Sequence, residues 1–288
     1  MKQFREMTVL IVGLGQIGGS IGLDLVGKRI VRQVIGFDKS RATTQMAVER
    51  GAIDVSAHSL NAGLQAADIV ILAMPIDVIL RSLSSILATV QAHTLCLDVA
   101  STKVAILGEV QRLKPKAGYV STHPIAGNEG CGIDSAEAGM LGGKVMTLTP
   151  ASHTPSRHIR LTKQLISSLG ARPIMIGAKR HDHLLAHTSH LPYAIATALV
   201  QVTAETGESD KLLWRMVGGS LQSATRVAKS PSDLTVNLLT TNRDEVVRSV
   251  DQLQAELERI KKLLKNDNQS ALRKYVEAAH LIARKRNR

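Results

Sequence analysis

The run Gly13-Leu14-Gly15-Gln16-Ile17-Gly18 constrains this chain more than any other feature. Alone, G-x-G-x-x-G is a weak signal. Here it follows the apolar run Thr8–Val12, opens a helical pattern over residues 17–26 and begins a β-α-β unit, the context in which the pattern has a mechanism. Gly13 permits a tight turn. Gly15 lets backbone approach a pyrophosphate, and Gly18 lets the helix pack on the strand. The N–H groups at the helix start, around Gln16 and Ile17, then face the anion.

Asp38 closes the second β-rich run, 25 residues after Gly13. A carboxylate there accepts hydrogen bonds from both ribose hydroxyls and repels a 2′-phosphate, which favours NAD. Lys39 and Arg41 stand beside it and can pair with a phosphate, so NADP stays open. Met74 and Pro75 end the third run at the edge of the same cleft, where they pack near the adenosine or the nicotinamide riboside.

Short β-rich runs at residues 8–12, 34–38, 69–74, 95–99, 119–122, 145–149 and 173–176 alternate with helical stretches as far as residue 169. This alternation predicts an α/β fold with an N-terminal Rossmann-type parallel sheet, doubly wound. The texture changes near Gly177. Residues 184–204, 211–227, 244–264 and 269–284 carry apolar residues at helical spacing, with no convincing strand among them. The expected organisation is a dinucleotide-binding domain over 1–178 and an all-helical substrate-binding and dimerisation domain over 179–288. About four helices are too few to bury all their apolar faces, so a homodimer through the helical half is expected.

Composition narrows the function. Lys+Arg 36 against Asp+Glu 24 gives a net charge of +12, which attracts anions. A dinucleotide-sensing nucleic-acid binder is one reading of that charge. Single-strand readers add stacking aromatics, and these are only 2% here. No DNA-binding motif is present, so the expected partner is a small anionic substrate. Cys96 and Cys131 make neither a disulfide framework nor a zinc site. His181, His183, His187 and His190 cluster in the sequence but lack an acid-plus-histidine zinc signature, so no metal is expected. No apolar run approaches a membrane span, and the N-terminus lacks a signal peptide's apolar core. The expected location is the cytoplasm.

Ligands of open α/β sheets bind beyond the carboxyl ends of the strands. Two polar segments fall there: Asp98-Val99-Ala100-Ser101-Thr102-Lys103 and the run from Ser121 through His123 to Gly130. Pro124 turns the chain out into a loop after His123. A histidine so placed can take a proton from a hydroxyl while hydride leaves the same carbon. Ser101, ending the neighbouring strand, can hydrogen-bond the imidazole or the hydroxyl.

The segment His123-Pro124-Ile125-Ala126-Gly127-Asn128-Glu129, with Gly143-Lys144-Val145 after it, resembles the catalytic loop of the prephenate and arogenate dehydrogenases. So do Asp98 to Lys103, and His181-Asp182 followed by Ser189-His190-Leu191-Pro192. The resemblance runs from about Val9 to Asn242. It implies NAD(P)-dependent oxidation of a ring carbinol with loss of the ring carboxylate as CO2, giving 4-hydroxyphenylpyruvate or tyrosine. It implies that His123 is the base, that Ser101 orients it and that Glu129 gates or positions the substrate. Arg226, in Thr225-Arg226-Val227, is the implied carboxylate-binding cation, with His190 and Tyr193 on the substrate side. Where the family reads close to G-F-R-D, this chain has Ser220-Leu221-Gln222-Ser223. Tyr193 replaces a second histidine, and Thr235 stands near the place of a tryptophan. All three bear on the substrate pocket, so prephenate, arogenate and an amino-substituted analogue stay open. A β-hydroxyacid dehydrogenase would share the layout but uses a lysine early in its helical half, and residues 184–204 contain none.

Overall fold

The computed structural model describes residues 3–127 and 130–286. Two compact units divide the chain, Met1–Asn242 and Arg243–Arg288.

The first unit is built on eight strands. In chain order these are β1 (Thr8–Val12), α1 (Gln16–Gly27), β2 (Gln33–Phe37), α2 (Arg41–Glu49), β3 (Val55–Ser56), α3 (Leu60–Ala66), β4 (Ile69–Leu72), α4 (Ile76–Thr89), β5 (Leu95–Asp98), α5 (Val104–Leu113), β6 (Gly118–Pro124), β7 (Val145–Pro150), α6 (Ser156–Ser168) and β8 (Arg172–Met175). The sheet order is β3-β2-β1-β4-β5-β6-β7-β8. β1 is buried along its whole length. Val9 and Ile11 join the apolar layer that includes Ile21, Leu25 and Leu165, while Leu10 and Val12 join the layer that includes Ile79, Leu83 and Ile106. The strand's period of two thus feeds helices on both faces. Each such fully buried aliphatic side chain contributes about 1.5–3 kcal/mol over an exposed one.

The sheet departs from the expected all-parallel pattern at one pair. β6 and β7 are antiparallel, with His123 opposite Thr147. A parallel neighbour requires a crossover helix. Residues 125–144 provide, among the described residues, only a 3-10 turn at Ile133–Ser135, so the chain runs back beside β6. β3 and α3 were not expected. Only Leu64 and Gly63 of α3 are buried, so it carries little helical stripe, although Ser59 caps it by accepting the N–H of Ala62.

Helices follow β8: α7 (Ala178–Leu185), a π turn over Ala186–His190, α8 (Leu191–Ser209), α9 (Gly219–Ala224) and α10 (Ser232–Thr241), with 3-10 turns at Lys211–Met216 and Arg226–Lys229. The π turn precedes Pro192, which has no N–H to give to the preceding turn. The single helix expected over 211–227 is broken in three. Gly218 is extended and begins α9, and two successive glycines make a continuous helix costly there.

The second unit is a hairpin of α11 (Arg243–Lys265) and α12 (Gln269–Arg286). The Tyr275 hydroxyl donates to Glu256, and the Arg259 guanidinium lies 5.1 Å from the Tyr275 ring centre. Val247, Leu257, Leu264, Val276, Leu281 and Ile282 are exposed. No helix among the described residues is long and apolar enough to cross a membrane.

Candidate active site

The order β2-β1-β4 puts a topological switch point between β1 and β4, where open α/β sheets receive ligands. The glycine turn lies there. Gly13 has φ +94°, and a Cβ on it would sit 2.7 Å from the Ala73 carbonyl oxygen. A Cβ on Gly18 would sit 2.0 Å from the Gly13 carbonyl oxygen. A Cβ on Gly15 would meet nothing within 4 Å, so this glycine faces open space at the start of α1. That combination is a tight turn, a close helix contact and an unobstructed amino end, which is what a dinucleotide pyrophosphate requires.

Asp38 lies just past β2. Its Oδ2 accepts the N–H of Leu14 and its Oδ1 the N–H of Ser40, each at 2.9 Å. The carboxylate therefore braces the glycine turn, and each oxygen keeps a lone pair for a ribose hydroxyl. Beside it a hollow of about 530 Å³ is also lined by Lys39, Arg41 and His58.

In front of the turn is a cavity of about 360 Å³. Gly15, Gln16 and Ile17 form one side, Met74 and Pro75 a second, and Ser101 the end of the β5 segment. α10 closes the far wall with Asp233, Leu234 and Asn237. Asn237 Nδ2 donates to Asp77 on α4, and the hydroxyls of Thr102 and Thr241 pair at 3.0 Å, so α10 is tied to α4 and to the loop after β5.

His123 ends β6, one strand over from Ser101, and is half-buried. Of the two bonds open to Ser101, to the imidazole or to a substrate hydroxyl, the one to the imidazole is not formed among the described residues. His123 Nδ1 is instead 3.1 Å from His181 Nε2, and His181 Nδ1 is 2.7 Å from Asp182 Oδ1. Asp182 also accepts the N–H groups of Lys103 and Val104 at the start of α5. Beneath His123 lies a buried ion pair. Lys103 Nζ donates to Asp98 Oδ1, to Ser121 Oγ and to the Thr122 carbonyl, all at 2.8 Å, while the Tyr119 hydroxyl donates to Asp98 Oδ2. All three ammonium protons are used. Burial pulls the Lys103 pKa down and the Asp98 charge opposes it. Burial first, then the Lys103 ammonium, holds His123 well below the ordinary imidazole range. His123 is therefore neutral near pH 7, with a lone pair to offer.

His190, at the end of the π turn, is fully buried. Asn242 Nδ2 bridges the Asp182 carbonyl at 2.7 Å and His190 Nδ1 at 3.0 Å. Because Asn242 donates to Nδ1, the proton of the neutral ring sits on Nε2, which has no partner. Burial lowers the His190 pKa to about 4. The Tyr193 hydroxyl is 3.3 Å from Ser230 Oγ, on the cavity wall. Arg226 is exposed on its 3-10 turn and does not line the cavity. Glu129 lies outside the described residues. His183 and His187 meet edge to face at 5.0 Å. Among the described residues no three His, Cys, Asp or Glu side chains are grouped to hold a metal ion.

Sequence reasoning passed over the parts played by Asp98, Lys103, His181, Asp182 and Asn242. The signals were present: an acid and a lysine five apart at a strand end, and a His-Asp pair opening the helical half.

Sheet order, glycine turn and cavity define a dinucleotide-binding enzyme of the Rossmann class. The chain belongs to the prephenate dehydrogenase family: the nucleotide-binding domain model of prephenate dehydrogenase matches residues 21–175, and the dimerization domain model matches residues 177–278. The prephenate dehydrogenase of Bacillus subtilis is 28% identical over 97% of this chain and 76% of its own length. The crystal structure of Aquifex aeolicus prephenate dehydrogenase in complex with hydroxyphenyl propionate and NAD+ superposes with a TM-score of 0.88 at 26% identity, covering 98% of this chain and 99% of that one. Synechocystis arogenate dehydrogenase superposes at 0.83 with 28% identity, covering 97% and 99%.

Proposed function

We propose that this protein catalyses the NAD(P)-dependent oxidative decarboxylation of prephenate or arogenate, giving 4-hydroxyphenylpyruvate or tyrosine. The observation that carries the reading is a neutral imidazole, His123, fixed at the carboxyl end of β6 beside a dinucleotide cleft, in a chain whose two parts both match the family. Gly13, Gly15, Gln16, Ile17 and Gly18 hold the pyrophosphate, Asp38 the adenosine ribose, and Met74 and Pro75 the nicotinamide side. The bound nicotinamide supplies the hydride acceptor.

His123 takes the ring hydroxyl's proton at Nε2, and Ser101 orients that hydroxyl. His190 offers its unpartnered Nε2–H to the substrate, and Tyr193 shapes the pocket beside Ser230. Arg226 and Glu129 bind and position the substrate. Arg226 is exposed in one protomer, so its part requires approach of a neighbouring segment or of a second copy. The protein is a cytoplasmic homodimer, with residues 1–178 as its dinucleotide domain and 179–288 as its substrate and dimerisation domain. Because the product ring is aromatic, alignment of hydride and base matters more than strong chemical activation.

The test is coenzyme reduction by the purified protein, with NAD and with NADP, on prephenate and on arogenate. His123→Ala should cut kcat by about 10²–10⁴-fold while coenzyme still binds. No turnover on either substrate with coenzyme still bound would sink the reading. One observation favours an ammonium-bearing substrate: the Asp233 carboxylate lines the cavity without a partner among the described residues. On that reading Asp233→Asn lowers kcat/KM for arogenate more than for prephenate, and equal losses would discard it.

A further inference from the structure

A hydrogen-bonded chain runs behind the cleft from α7 to β6. Asp182 Oδ1 lies 2.7 Å from His181 Nδ1, and His181 Nε2 lies 3.1 Å from His123 Nδ1. His181 is fully buried and Asp182 is 1% exposed. The Asp182 oxygens also receive the Lys103 N–H at 2.8 and 3.1 Å and the Val104 N–H at 2.8 Å. A carboxylate held by backbone N–H donors at a helix amino end stays ionised, and an ionised carboxylate only accepts. His181 Nδ1 therefore carries a proton.

With its ring proton on Nδ1, a neutral His181 presents its lone pair at Nε2. The contact to His123 then needs a proton on His123 Nδ1. That leaves His123 Nε2 as the unprotonated nitrogen, and it has no hydrogen-bond partner among the described residues.

We infer that His181 and Asp182 are positioning residues for the reaction. They select the His123 tautomer that can act as a base, and they counter the charge it takes on. The inference rests on the reading of His123 as the base. In the step, the substrate O–H bond breaks and the Nε2–H bond forms, with the electron pair left on oxygen. The C–H pair leaves the ring carbon as hydride to the coenzyme. The C–C pair of the departing carboxylate enters the ring as CO2 is released. The ring oxygen recovers its proton from Nε2 as the ring becomes aromatic, so no net proton leaves. The chain behind His123 therefore has to hold a proton rather than drain it. A neutral imidazole anchored on a fixed carboxylate does that, because passing the proton onward would neutralise the Asp182 that binds the α5 amino end.

Nitrogen-15 NMR of the full-length, histidine-labelled enzyme without substrate reads the tautomer directly, with His123→Gln and His181→Gln for assignment. The expected result is His123 protonated at Nδ1 and bare at Nε2. His181→Leu, which removes the acceptor, should lower kcat about a hundredfold with KM values changed less than about threefold. His181→Gln, which restores an acceptor oxygen, should recover most of that loss. A resting His123 protonated at Nε2 overturns the inference. So does a Leu variant with kcat within about twofold of the parent, or Leu and Gln variants that are equally slow and equally destabilised. Turnover that survives His123→Ala would instead remove the base reading, and the tautomer would still be legible.

Discussion

Acidifying the protein from about pH 7.5 to about pH 4 should remove about 3 kcal/mol of stability through His190 alone. The ring is fully buried, and burial holds its pKa at about 4 against an ordinary 6.5. The folded-state value is the lower one, so the unfolded chain takes up its proton first as the pH falls. The stabilising contribution is complete above 6.5 and is lost on the way down through about 4. The gap is about two and a half decades of proton affinity at about 1.4 kcal/mol each, and half-titration at the lower end leaves about 3 kcal/mol. His123 is displaced in the same direction and steepens the loss. The assay is urea unfolding at several pH values, followed by the fluorescence of Trp214, the single tryptophan, which belongs to the same compact unit as His190. In His190→Gln the pH dependence should flatten by about 3 kcal/mol over this range. Parallel curves for parent and variant would show instead that the ring is protonated, or hydrated, at little cost.

Other substitutions have separable outcomes. Gly18→Ala drives a Cβ into the Gly13 carbonyl and should cost about 1–3 kcal/mol as well as coenzyme binding, read by unfolding and by fluorescence quenching. Gly15→Ala meets no protein atom, so its stability should stay within about 0.5 kcal/mol while coenzyme Kd rises about tenfold or more. Lys103→Met strands the buried Asp98 carboxylate and should cost about 3–5 kcal/mol in urea unfolding, with much of it recovered by adding Asp98→Asn. Aspartates in place of the exposed Leu257 and Leu281 should shift sedimentation toward monomer, and an unchanged mass would move the dimer contact elsewhere.

The N-terminal sheet was legible because its signals are local. The glycine turn, the acid after β2 and the alternation of runs with helices each lie within a few residues of what they specify. Where the sequence misled, one local signal was missing or outvoted. α3 buries only Gly63 and Leu64, so its stripe was too weak to see. The helix expected over 211–227 had the right spacing, but Gly218-Gly219 overrode it. The parallel reading of β7 assumed a crossover that the described residues of 125–144 do not build. The candidate site was legible as a list of segments and not as a circuit. Ser101 was expected to bond either the imidazole or the substrate hydroxyl, and the imidazole's Nδ1 is met instead by His181, 58 residues along the chain from His123. Contacts such as Lys103 to Asp182, or Asn242 to His190, join positions 79 and 52 residues apart, and no periodicity encodes them.

The grip of Asp182 on the start of α5 also limits how the molecule can be taken apart. A Rossmann half cut at its last strand would keep the coenzyme turn but lose the carboxylate that caps Lys103 and Val104, and with it the support behind His123. A helical half grafted from a relative would have to bring its own Asp182, His181 and Asn242 in register with a foreign α5. The first compact unit runs through Asn242, which itself donates to the Asp182 carbonyl. Redesign of substrate preference is therefore better confined to α10 and the turns on either side of α9, where side chains can change without unseating the base.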